Sequence, residues 1–390
     1  MNKSIPILTP LRGIAAICVA FFHARLVIFP QWKDTLIEYT HFLENSYLWV
    51  DLFFILSGFV IMHVYQNTFF KGINFYNWSK FIGLRFSRIY PLFLVTLLVL
   101  VAWETFKYMA NIGFYGGALF DGWGMSGIPA FHGPFNRGDA LIPNIMMLQG
   151  VLEKDLSWNI SSWSLSVEWL SYMVFPFLVP VLMQKKVSLA IPVLFIISLV
   201  AINSHHGSLD ITGGVLAYLR ALSSFALGTW MCTITLSEKT KERINSDMLL
   251  LVIFLMCIYA LHLPALPFND VFIIIVFALL VFISAQQQQR NSVIFKLFEN
   301  KVTQFLGDIS YSLYLWHAVI LLVGIEIINL LLPQQLVLWH LQISWIPAIV
   351  GGFFYMAVVL VISTFSYYYL EKPAMRGLRQ FFQRSEMITQ

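Results

Sequence analysis

The chain has 390 residues, of which 58% are hydrophobic and only 11% charged, against roughly 25% charged residues in soluble domains. With a mean hydropathy of +0.74, that composition excludes a water-soluble globular protein and leaves no polar stretch long enough for a separate soluble domain. The net charge of +4 does not point to nucleic acid, because the Lys and Arg residues fall between apolar runs, where the positive-inside rule accounts for them.

Apolar stretches near 7–29, 47–66, 89–110, 161–184, 187–203, 213–235, 248–264, 269–285, 307–332 and 345–370 read as about ten transmembrane helices. The expected fold is therefore an all-α, polytopic integral membrane protein made of one membrane domain. Placing both termini in the cytoplasm gathers 18 of the 24 Lys and Arg residues on the inner side, among them Lys3, Lys71, Lys80, Lys185, Lys186, Arg376, Arg379 and Arg384. Cys18, Cys232 and Cys257 lie within apolar runs without metal-ligand spacing and read as buried thiols; no metal site is expected. The first run carries Arg12 and His23 and lacks a cleavage signal, so it reads as a retained span rather than a signal peptide.

In that first segment Arg12 and His23 stand eleven positions apart. A helix turning about 100° per residue returns them to within roughly 20° of one another and about 16 Å apart along the axis. Ionisable groups at such depth normally face a protein interior or a watery cavity. Two readings stand: a polar path through the membrane, or a snorkelling arginine with a hydrogen-bonded core histidine. In the second segment, WVDLFFILSGFVI, Asp51 is placed to approach and orient His23 from the neighbouring helix, or to serve as a dipole-favoured N-terminal carboxylate. Ser57 and Gly58 read as helix packing positions. Arg85 and Arg88, three apart at an inner membrane border, suit phosphate contacts, with lipid headgroups as the ordinary alternative.

The long outer connection, about 111–159, is rich in Gly, Pro and aromatic residues and reads as a lid or re-entrant segment, against a merely packed loop. Beyond it, Ser164, Glu168 and Tyr172 recur at four-residue steps on one helical face. Counted from the outer ends of their spans, Glu168 and His23 lie about 10 Å and about 9 Å deep, so the two are expected to meet at one level. Such a pair can deprotonate a hydroxyl or form a structural contact. Tyr311, Tyr314 and His317 fall in the ninth segment, and Glu371 with Pro373 reads as a helix stop. No internal repeat is visible, which weighs against a transporter.

Arg12 with His23, DLFFILSGF, Arg85 with Arg88, SWSLSVEW, SYSLYLWH and the terminal LEKP occur in an order that resembles the family 3 integral membrane acyltransferases. These enzymes modify sugars and other hydroxyl-bearing acceptors. The resemblance covers most of the chain and implies a ten-helix domain in the bacterial inner membrane. It implies acetyl-CoA or another acyl-CoA as donor, reached from the cytoplasm, with no permanently bound cofactor. The implied acceptor is a hydroxyl of an exported or cell-surface carbohydrate. Essential roles fall to Arg12, His23, Arg85, Arg88 and Glu168. Within that frame Arg12, Arg85 and Arg88 hold the donor, and His23 acts as general base or brief acyl carrier. Glu168 binds the acceptor or relays the proton, and Asp51 tunes His23, with Ser164, Tyr172, Tyr314 and His317 in support. A stand-alone form without a fused soluble domain is also implied. The competing class is a transporter or flippase for a glycan or lipid-linked sugar.

Overall fold

In hydrocarbon a segment must satisfy its backbone N–H and C=O groups internally, so uniformly apolar runs of this length become helices. The computed structural model describes Ile5, residues 7–184 and residues 189–388, and among these all regular structure is helical. The long helices are α1 (Leu8–Val27), α2 (Trp49–Phe70), α3 (Phe75–Ala110), α4 (Trp163–Leu182), α5 (Ala190–His206), α6 (Gly214–Cys232), α7 (Asp247–His262), α8 (Asn269–Ala285), α9 (Ser310–Leu331), α10 (Trp345–Ser366) and α11 (Lys372–Ile388). Each apolar segment expected from the sequence falls on one of α1 to α10. Among the described residues seven helices, α1, α2, α3, α4, α6, α9 and α10, are long and apolar enough to cross a bilayer. Helix α7 passes the same test together with Glu238–Ile244, from which it is bent by 61°. Lys3, Lys185 and Lys186 lie outside the described residues, and of Arg384 only the backbone is described.

Helices α2 and α6 cross in close contact. A Cβ added at Gly58 would lie 2.0 Å from the Phe225 carbonyl oxygen, and one at Gly228 would lie 2.0 Å from that of Ile55. Backbone therefore meets backbone, as small residues permit in membranes. Gly58→Ala is expected to lower thermal stability by about 1–3 kcal/mol, whereas Gly324→Ala, where nothing lies within 4 Å, should cost nothing. Equal thermal midpoints for the two variants would refute the crossing.

Helix α3 begins at Phe75 rather than near 89, capped by Asn74, whose side chain accepts from the Asn77 N–H at 2.7 Å. Its 36 residues reach about 54 Å, well beyond a hydrocarbon core of about 30 Å. Arg85 and Arg88 thus ride on one continuous helix. The expected stop at Glu371 and Pro373 is absent: a π turn at Tyr367–Glu371 leads directly into α11. Pro373 stands two residues past the π turn, whose widened ladder accommodates a residue without an N–H.

Candidate active site

Two cavities lie back to back inside the bundle. The first holds about 810 Å³ of atom-free space, mouth included, between α1, α2, α3, α4 and α9. Arg12, Arg85, Arg88, Ser57, Ser164, Glu168, Tyr172, Tyr311 and Tyr314 line it. The four-residue spacing of Ser164, Glu168 and Tyr172 turns all three side chains into this space. The Tyr172 hydroxyl donates to Glu168 Oε1 at 2.5 Å, so the Ser57 hydroxyl 3.0 Å away donates in turn to Tyr172. Arg85 Nη2 donates to the Tyr65 hydroxyl at 3.1 Å. Among the described residues neither Arg12 nor Arg88 makes a hydrogen bond or ion pair, which leaves their donors to a ligand.

The second cavity, about 1050 Å³ on the same measure, is lined by His23, Tyr47, Asp210, Arg220, Tyr314 and a shell of aromatic rings: Phe22, Phe120, Trp123, Phe135 and Trp163. Hydrogen-bond partners assign the histidine tautomers here. Leu313 O can only accept, so His317 Nδ1–H donates to it at 3.3 Å and His317 Nε2 is bare. His23 Nδ1–H is then shared between Val19 O at 3.0 Å and that bare nitrogen at 3.2 Å. His23 Nε2 is left as the basic nitrogen of a ring that lines the cavity. The Tyr355 hydroxyl donates to the His317 carbonyl at 3.3 Å, tying α10 to this pair.

Tyr314 and Val50 line both cavities. The Tyr314 hydroxyl donates to Ser161 O at 3.0 Å and sits 2.7 Å from Ser164 Oγ. A wall about one side chain thick thus separates the arginine cavity from the histidine cavity.

This wall corrects the expectation that His23 and Glu168 share a level. Helix α4 does not start at a membrane surface. Trp158, Asn159, Ser161 and Ser162 are buried, with Asn159 Nδ2 donating to Leu315 O at 3.0 Å and Ser161 Oγ donating to Tyr314 O at 3.0 Å. The start of α4 is sunk to the level of Tyr314, and Glu168 lies beyond it on the arginine side. Asp51 is likewise placed elsewhere than expected. Its carboxylate accepts from Arg220 Nη2 at 2.6 Å, Arg220 Nε at 3.1 Å and Ser224 Oγ at 2.8 Å, fully buried, and it makes no hydrogen bond to His23. A guanidinium outcompetes an imidazole for a buried carboxylate because it returns two parallel charge-assisted bonds. Asp51 therefore positions Arg220, whose guanidinium stands 5.5 Å from the Tyr47 and Trp163 ring centres on the cavity wall.

The segment 111–159 covers the histidine cavity through Phe120, Trp123, Met125, Phe135 and Leu156. It is tied down by charges that the sequence reading did not single out. Lys107 Nζ pairs with Glu104 at 2.7 Å and Glu326 at 2.9 Å. Glu104 accepts from Asn136 Nδ2 and the Phe131 N–H, and Glu326 from the Tyr115 N–H. All three charged groups lie in apolar helices, where their cost alone marks them.

A family model described as an acyltransferase domain matches residues 7–368. Protein 2 in the picA locus of Rhizobium radiobacter is 32% identical over 116 residues, 29% of this chain and 54% of that protein. Acyltransferase MdmB of Streptomyces mycarofaciens is 29% identical over 175 residues, 44% of this chain and 38% of that protein. The chain thus spans between 38% and 54% of these curated relatives. No solved structure matches the chain.

Proposed function

The chain belongs to the family 3 acyltransferases, and from that premise we propose that it moves a short acyl group, acetyl foremost, from acyl-CoA to a hydroxyl of a carbohydrate acceptor at the bacterial inner membrane. The observation that carries this reading is the wall shared by a cationic cavity and a cavity with a free imidazole nitrogen. Arg85 and Arg88 hold the donor's phosphates as guanidinium forks, and Arg12 stands farther in along the same space. The thioester arm reaches Tyr314, which among the described residues is the one polar side chain lining both cavities. The acceptor lies in the histidine cavity, where the aromatic shell suits the flat apolar faces of a sugar ring.

His23 Nε2 takes the acceptor hydroxyl proton as the oxygen attacks the thioester carbonyl. The C–O bond forms, the C–S bond breaks, and the departing CoA thiolate takes that proton from His23, so that ester and free thiol leave and the imidazole is neutral again. His317 holds His23 Nδ1–H toward itself and thereby keeps Nε2 turned to the acceptor. Glu168, fixed by Tyr172 and Ser57, lies with Arg12 on the donor side and sets the charge balance there.

Vesicles containing the protein and supplied with acyl-labelled CoA test the reading. Covalent label on a carbohydrate supports it; carriage of a glycan across the membrane without label makes the protein a transporter. Asp51→Asn adds a second test. It should lower the thermal midpoint by weakening the Arg220 pair while leaving the pH profile of transfer unmoved, because His23 is not its partner. A shifted profile would restore the direct Asp51–His23 contact.

A further inference from the structure

Residues 207–213, the turn between α5 and α6, form part of the wall of the histidine cavity, where Asp210 and Thr212 stand with His23, Trp123 and Arg220. The Ile211 N–H donates to the Leu209 carbonyl at 2.8 Å, so Asp210 is the tip of a γ-turn. Buried charges anchor both of its neighbours. The Leu209 N–H donates to Asp270 Oδ2 at 2.6 Å, the oxygen that also accepts from the Tyr47 hydroxyl, and the Ile211 carbonyl accepts from Arg220 Nη1 at 3.3 Å. Arg220 is in turn fixed by Asp51. Beyond the tip, the Gly214 N–H donates to the Glu153 carbonyl at 3.0 Å, which joins the turn to the end of the segment covering the cavity. Side chains of α6 and α8 therefore hold the backbone on either side of one carboxylate, as a rigidly mounted binding group requires.

That carboxylate is uncommitted. Among the described residues Asp210 makes no side-chain hydrogen bond or ion pair, and it is an exposed residue that lines the cavity, which puts it at the mouth. Cations bordering the cavity are matched elsewhere: Arg220 by Asp51, Arg25 by Glu44 at 2.8 Å and Arg137 by Glu153 at 2.5 Å. Lys154 and Asp155, of opposite sign, are exposed in the adjoining turn. An ionised carboxylate only accepts hydrogen bonds. Beside the rings of Trp123 and Trp163, it complements the two surfaces of a sugar, hydroxyl edges and C–H faces.

We infer that Asp210 binds the acceptor: it accepts from a hydroxyl other than the one acylated, and its charge turns away acceptors that carry a carboxylate or phosphate beside the reacting hydroxyl. The inference rests on the carbohydrate reading given above and narrows it to neutral and amino sugars. Proton transfer stays with His23, so Asp210 acts through binding of the acceptor and not through the chemical step.

The test uses the full-length protein in nanodiscs with saturating acyl-labelled CoA. The probe acceptors are methyl glycosides of glucose, galactose and mannose and of the matching uronic acids. The wild type should prefer the neutral glycosides by about tenfold or more in kcat/KM, the cost of bringing like charges together. Asp210→Asn should raise KM for the neutral glycosides about tenfold, the loss of one hydrogen bond to a charged group. It should leave kcat and its pH profile in place and bring the uronates close to parity. Asp155→Asn should behave as the wild type, which separates a contact from a surface potential, and thermal midpoints verify that the variants are folded. An unchanged KM in folded Asp210→Asn, equal use of both series by the wild type, an equal effect of Asp155→Asn, or a fall in kcat with a shifted pH profile overturns the inference and leaves the carbohydrate reading standing. Label on no glycoside at all overturns that reading and the inference with it.

Discussion

Replacing His23 with alanine is expected to lower acyl transfer by about 10²–10⁴-fold, with CoA affinity unchanged, because the imidazole stands on the far side of Tyr314 from the arginines. Three other polar groups lining its cavity are poorly placed as the base. Tyr47 donates to Asp270 at 2.6 Å, Tyr314 is held between Ser161 and Ser164, and Arg220 is committed to Asp51. Asp210 is the competing base, since its carboxylate lines the same space. Purified His23→Ala and Asp210→Asn, assayed with labelled acyl-CoA, separate the two by which loses more. His317→Ala should cost less than His23→Ala and shift the pH profile of transfer, while His317→Gln, which can still accept from Nδ1–H, should recover part of the loss. Transfer by His23→Ala at the wild-type rate would remove the histidine cavity from the chemistry.

The helices of this protein were legible because nothing in their composition competes with the helix: ten apolar stretches carry few breakers, and each became a helix. The face shared by Ser164, Glu168 and Tyr172 was legible for the same reason, since a four-residue step needs only a helix to bring side chains into line. Depth was not legible. Residues 156–162, LSWNISS, read as a polar approach to a span. They are instead a buried stretch whose side chains bond the backbone of α9, which moves Glu168 across the Tyr314 wall from His23. The partner of Asp51 was legible in principle: Arg220 lies in VLAYLRALSS, an intramembrane cation as costly as Arg12, and such a cation calls for a buried carboxylate to neutralise it. The continuation into α11 was not legible either, because a Glu-Lys-Pro signal reads as a helix end.

Lys107→Met is expected to be among the most damaging single changes outside the cavities, costing about 3–5 kcal/mol of stability. The lysine side chain is 1% exposed and lies between carboxylates that are 3% and 4% exposed. Removing it strands both acids in an apolar region with no cation to offset their desolvation. The same acids hold the cover of the histidine cavity, through Asn136 and Phe131 on Glu104 and through Tyr115 on Glu326. The damage should therefore appear as faster amide exchange across residues 111–140 as well as a lower thermal midpoint. Glu104→Gln offers the contrast: Lys107 keeps Glu326 and the amide oxygen still accepts from Asn136, so the loss, confined to the acceptor of the Phe131 N–H, should be smaller. Combining Lys107→Met with Gln at both acids should recover much of the stability, because replacing a whole buried ion cluster costs far less than breaking it. If the triple variant is no more stable than Lys107→Met alone, the packing of the lysine stem, rather than its charge, is what holds the cover in place.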